Sequence, residues 1–154
     1  MTRINLVPPR ELTDQHLFAE FRELKMVPRA LARSLETLSK DEVLSRIPPT
    51  YRLGTGHVLF FYDKGAYLYR RYSLVRKELD RRGNVDYDRK AKLDLLGVFE
   101  DDDFFNSWTP KEEDFRLIRK RIKQRILMKP SWYRYFGVSL PESDYPLKSK
   151  LKLR

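Results

Sequence analysis

Three stretches of this chain repeat apolar residues every three or four positions, and that period calls for a core built from helices. Leu17, Phe21 and Leu24 form the first stripe, Leu68, Tyr72, Val75 and Leu79 the second, and Phe115, Ile118, Ile122 and Ile126 the third. Each stripe has boundary signals. Thr13 or Asp14 can cap the first helix. Pro28 removes a backbone donor and is expected to kink or restart that helix, with Leu31, Leu35 and Leu38 continuing the stripe beyond it. Ile47-Pro48-Pro49-Thr50 then reads as an extended linker. Asp63 can cap the second helix, which should run to about Arg82 with Gly83 as its stop. Thr109-Pro110-Lys111-Glu112 reads as an N-cap, a proline at the first helical position and a capping-box glutamate. The third helix should end at Lys129, before Pro130. The expected fold is all-α, a single domain of three main helices.

Between and beside the stripes lie polar positions that could carry chemistry. Arg70, Arg71, Arg76 and Lys77 fall off the second stripe and are expected to be solvated, with phosphate contact as the other reading. Gly54-Thr55-Gly56-His57 lacks the further glycines and the Lys-Ser/Thr of a phosphate loop. It reads as a loop entering the buried run Val58–Phe61, with His57 packed and hydrogen-bonded. Residues 84–108 read as irregular. The acidic run Glu100–Asp103 reads as a spaced loop, because four successive carboxylates do not converge on one ion without a special turn. Trp132-Tyr133-Arg134-Tyr135-Phe136 interleaves aromatics with a base, a composition suited either to stacking on nucleotides or to packing beneath the helices. On the first helix, Gln15, Ala19, Arg22 and Glu23 lie away from the stripe with His16 at its edge, as solvated charge or as a site.

At 154 residues the chain is long enough for one domain with a real core. Its 32 Lys and Arg outnumber 22 Asp and Glu, for a formal net charge of +10. That balance points to a polyanionic partner, most simply nucleic acid. A membrane partner is not expected: no span, signal peptide, myristoylation pattern or acylable cysteine is evident. The absence of cysteine excludes disulfides and thiolate metal sites, and two histidines make an imidazole-rich metal centre improbable. The chain is expected to be soluble, cytoplasmic (nucleoid-associated if bacterial) and not secreted. Residues 1–137 would form the domain, and 138–154, ending in Lys148, Lys150, Lys152 and Arg154, a basic mobile tail adding non-specific affinity.

The N-terminus carries its own reactive group. Removal of Met1, which a small second residue permits, leaves Thr2 with an α-amino group titrating near ~7.7–8.0, far below a lysine. Such an amine is a ready nucleophile for a carbonyl or acetal carbon.

The segments TRINLV and DQHLFAEFREL, then GTGHVLFFYDK, then KPSWYRYFG, resemble in order and spacing the phage-type endonuclease V family. These are pyrimidine-dimer DNA glycosylases with abasic-site lyase activity. The resemblance implies an all-helical domain in which the N-terminal segment passes between the helices. It further implies that the amine of Thr2 attacks C1′ of the damaged nucleoside and forms a Schiff base. Glu23 would stabilise the cationic sugar and accept the proton of β-elimination, without metal or cofactor. Arg3, Gln15 and Arg22 match family positions that hold phosphates and the opened lesion, and His16 is grouped with them as a DNA-binding candidate. Arg121, Arg125 and Arg134 match basic positions near the DNA, with Trp132 and Tyr135 as aromatic candidates beside them. The implied partner is double-stranded DNA carrying a lesion, with no obligatory protein partner. One position departs from the family: Met26 stands where an arginine helps bind DNA, with Lys25 or Arg29 as substitutes. A glycosylase/lyase for other base lesions or abasic sites, and a basic DNA-binding protein without activity, are the alternatives.

Overall fold

The Thr13 hydroxyl accepts the backbone N–H of His16 at 3.1 Å and so starts α1 (Asp14–Thr37), as the sequence leads one to expect. The computed structural model describes residues 3–83 and 97–139 of the chain. In it α1 runs through Pro28 without a break, against the expected kink or restart. An internal proline costs about 3 kcal/mol. Here Val27 and Leu31, on either side of it, are both 0 % exposed, and burying two such side chains outweighs the loss.

Four further helices follow among the described residues: α2 (Lys40–Arg46), α3 (His57–Phe60), α4 (Gly65–Arg82) and α5 (Glu112–Met128). The short α2 has no long stripe to announce it. Ser39 caps it by accepting the Glu42 N–H. The cap expected at Asp63 is not made. The Asp63 carboxylate pairs with Lys64 Nζ at 2.7 Å, and its carbonyl accepts from the Asn106 backbone and side chain. Those bonds draw the 97–106 stretch against the start of α4. Gly65 permits the approach, since a Cβ there would meet Phe99, Phe105 and the Phe104 carbonyl within 2.9 Å. The start of α5 also shifts, to three residues past Thr109. Asp114 reaches back to accept the Lys111 N–H at 2.9 Å, making Lys111 rather than Thr109 the cap.

The three expected stripes all enter one core. Leu17, Phe21, Leu24, Leu68, Tyr72, Val75, Leu79, Ile118, Ile122 and Ile126 are buried, with Phe115 packed at its edge. Helices α1 and α4 pack against each other. The N-terminal segment lies inside this frame, with Ile4 and Val7 fully buried. Of the acidic run, Asp101 and Asp103 pair with Lys40 of α2.

At the C-terminal end, Arg134–Tyr135 pairs antiparallel with Val138–Ser139 in a minimal hairpin, turned by Phe136 and Gly137 at positive φ. Asp14 anchors that turn by accepting the Phe136 and Gly137 N–H groups, and Arg82 bonds the same carboxylate at 3.0 Å. No helix among the described residues is long and apolar enough to cross a membrane. Of the expected tail only Val138 and Ser139 are described, as the second strand; 140–154 lie outside the described residues, as do 84–96.

Candidate active site and nucleic-acid interface

An extended N-terminal segment has no hydrogen-bond ladder of its own, so its buried polar groups must be met from outside. Four side chains do this. Tyr51 OH donates to the Ile4 carbonyl at 3.0 Å, and the Ile4 N–H donates to His57 Nε2 at 3.0 Å. His57 Nδ1 lies 2.8 Å from the Arg52 carbonyl, which fixes the neutral tautomer carrying its proton on Nδ1. Burial pushes the His57 pKa down to about 4; the Arg52 carbonyl opposes that shift, and the charges of Arg3 and Arg121 reinforce it. The Asn5 N–H donates to the Glu20 carboxylate. Arg71 pairs with Glu20 at 2.6 Å and donates to the carbonyls of Leu6 and Val7. Between these anchors Leu6 takes a φ of +61°, closing a three-residue turn from the Val7 N–H to the Asn5 carbonyl.

The Glu20–Arg71 pair corrects the expectation that Arg71 is solvated: the two side chains are 0 % and 4 % exposed. The sequence carried a signal for it. Glu20 stands three residues after Leu17 and four before Leu24, inside the stripe. Arg71 stands likewise between Leu68 and Val75. An acid in one apolar stripe and a base in another are the mark of a buried pair.

The N-terminal segment delivers Arg3, only 6 % exposed, to the side where α1 faces α5. On α1, His16, Ala19 and Glu23 succeed one another along one helix face. On α5, Arg121 and Arg125 are one turn apart. A cavity of about 30 Å³ lies between, lined by Arg3, Asn5, His16, Ala19, Arg121, Ile122 and Arg125. Glu23 is 4 % exposed, and its charge favours the cationic form of Arg3. Burial, with the positive charge of Arg125 beside it, nonetheless holds the Arg3 pKa below its ordinary value. Arg121 is lowered too, by burial and then by Arg125 and Arg3. Three guanidiniums thus crowd one another with the buried Glu23 carboxylate beside Arg3, and an anion entering among them relieves the repulsion.

The cavity shares His16, Ala19 and Arg125 with a wider groove of about 290 Å³, which extends to Gln15, Met128, Lys129, Trp132 and Tyr133. Gln15 ties its floor together, donating to the Trp132 carbonyl and accepting the Arg134 N–H. His16 stacks on Tyr133 with ring centroids 4.7 Å apart, and its Nδ1 contacts the Thr13 hydroxyl. Burial, then the charges of Arg121 and Arg125, push the His16 pKa down to about 4. Trp132 is 51 % exposed, with Lys129 over its ring. Arg22 and Arg134 are exposed and line neither the cavity nor the groove, Arg22 lying against Phe18. Tyr135 points elsewhere: it is buried, donates to the Arg10 carbonyl and lies under Arg82. Met26 is exposed, and Lys25 lies over the Phe21 ring. Thr2 lies outside the described residues.

A helical domain with an arginine-lined cavity adjoining a wider groove, and a buried carboxylate acting on one of those arginines, fits a nucleic-acid enzyme. The chain belongs to the pyrimidine dimer DNA glycosylase family, whose model matches residues 1–94. That match takes in Arg3, Glu20, Glu23, His57 and Arg71; Arg121 and Arg125 stand beyond it. The protein is accordingly a DNA glycosylase, with DNA bearing pyrimidine dimers as its substrate.

Proposed function

We propose that this glycosylase works through the α-amino group of Thr2, exposed by removal of Met1, and that it also nicks the strand. The amine lone pair attacks C1′ of the damaged nucleotide. The C1′–N glycosidic bond breaks, and its electron pair leaves on the base. Loss of an amine proton and opening of the sugar ring at O4′ then give an iminium between Thr2 and C1′. Removal of a C2′ proton expels the 3′ phosphate by β-elimination. Glu23 offsets the positive charge on the sugar and takes that proton. Arg3, Arg121 and Arg125 hold the phosphates, with Gln15, His16 and Trp132 on the wider groove and the exposed Arg22 and Arg134 as further contacts to the DNA. Because C1′ is inside the duplex, the enzyme bends the DNA and turns a nucleotide out, a smaller cost at a poorly stacked dimer. Its place of action is the cytoplasm, on the nucleoid if the cell is bacterial.

The observation that carries this reading is the burial of Glu23 beside Arg3. The α-carbon of Thr2 is about 3.8 Å from that of Arg3 by covalent geometry alone. In this reading the amine acts from the residue next to Arg3, whose guanidinium feels the Glu23 charge. Borohydride reduction during turnover of an irradiated duplex tests it. The expected result is a protein–DNA adduct whose peptide map places the linkage on residue 2. Nicking with no trapped adduct, or an adduct on a lysine such as Lys25, would overturn the assignment.

A further inference from the structure

We infer that His57 and Tyr51 are positioning residues for the reacting amine, holding the two peptide groups of Ile4 so that residue 2 meets the sugar in line. This deepens the reading above and rests on it. Neither residue touches the arginine-lined cavity, and neither has been given a part in the chemistry so far. Their hydrogen bonds converge on a single residue of the chain. Ile4 presents its N–H to His57 Nε2 and its carbonyl to Tyr51 OH, both at 3.0 Å. The peptide planes on both sides of its α-carbon are therefore tied to side chains from outside the segment. Ile4 itself is 0 % exposed.

The leverage follows from covalent dimensions. Two residues of chain reach at most about 7 Å, so a rotation of about 10° at Ile4 moves the terminal nitrogen by up to about 1 Å. A misplacement of that size can cost about 10²-fold in a reaction that depends on near-attack geometry. A chain terminus left to itself frays, whereas this one has to repeat a single geometry at every turnover.

The clamp is rigid because its own parts are held. His57 Nδ1 is engaged by the Arg52 carbonyl at 2.8 Å, so the ring cannot flip without losing that bond. The ring also packs edge-on against Tyr51 and Phe61. Burial and the facing charges of Arg3 and Arg121 keep the imidazole neutral, leaving the Nε2 lone pair free to accept. Burial, followed by the Glu20 carboxylate, pushes the Tyr51 phenol up, which keeps it a donor.

Two nearly isosteric substitutions separate positioning from simple core satisfaction. His57→Gln places an amide atom near Nε2, so it can still accept from Ile4 while losing Arg52. His57→Asn places its amide near Nδ1, so it can keep Arg52 while losing Ile4. Each forfeits one hydrogen bond of the native pair. If the inference holds, His57→Asn slows single-turnover borohydride trapping about tenfold or more, while lesion-DNA affinity stays within about twofold. His57→Gln remains within about threefold of the parent rate, at a comparable melting temperature. Tyr51→Phe, which deletes one hydroxyl and little volume, shows the same split between rate and affinity and carries the test should His57→Asn not fold. Equal rates for the Gln and Asn variants, or an unchanged rate in Tyr51→Phe, would reduce both side chains to packing and overturn the inference. A parent adduct mapping away from residue 2 would instead remove the underlying amine reading, whatever the variants do.

Discussion

Glu23 follows Ala19 by one helical turn, and this spacing places its carboxylate on the face that meets α5. Its burial at 4 % exposure next to Arg3 is what makes it more than surface charge. Glu23→Gln keeps the shape and the hydrogen bonding while deleting the base and the negative charge. Removal of one such group costs about 10²-fold or more in rate. Strand nicking by the variant should therefore fall below detection in a standard gel assay. Binding of the lesion duplex should stay within about tenfold, which corresponds to about 1.4 kcal/mol. Retained nicking with lost binding would place Glu23 in recognition instead. Glu23 could be singled out in the sequence through the resemblance of its segment, whereas its burial could not, because period alone put it off the stripe. Glu20 and Arg71 were the reverse case: both stand at stripe spacing, yet Arg71 was expected to be solvated, and their use, holding the N-terminal segment, depends on groups far away in sequence.

At the scale of elements, the proposed interface is the meeting of α1, α5 and the N-terminal segment, none of which lines the cavity alone. Arg121 and Arg125 share a face of α5, and Arg3 crosses to meet them. Each phosphate neutralised contributes about −0.9 to the slope of log affinity against log salt. Replacing Arg121 and Arg125 together with Ala should flatten that slope by about two units, measured by anisotropy titrations across a salt series. An unchanged slope would take both out of the interface. Their pairing was legible from the four-residue spacing. The path of the N-terminal segment was legible only through resemblance, because irregular chain carries no period. The run of α1 through Pro28 escaped sequence reasoning for a related cause: local propensity was overruled by burial that only the assembled core provides. The short α2 was missed although its start is local, with Ser39 accepting the Glu42 N–H.

For the whole molecule, one buried histidine makes stability depend on pH. His57 titrates at about 4 in the folded chain against an ordinary value of 6.5. Between those values the unfolded chain binds a proton that the folded chain refuses. The stability is therefore whole above about pH 6.5 and is lost as pH falls towards 4, by on the order of 3 kcal/mol from this group. His16, lowered in the same direction, adds to the loss. Melting temperatures should drop between pH 7 and pH 4.5, and His57→Gln should show a shallower drop; an equal slope in the variant would assign the acid sensitivity elsewhere. By itself the sequence determined the helical class, the three long stripes, the basic character and the family. These follow from period, composition and short motifs, which are properties of neighbours along the chain. Tertiary structure alone decided that Glu23 is buried, that Arg3, Arg121 and Arg125 crowd one cavity, and that His57 and Tyr51 grip Ile4. Those outcomes join residues about 20 to 120 positions apart, and desolvation and charge proximity arise only when folding brings such groups together.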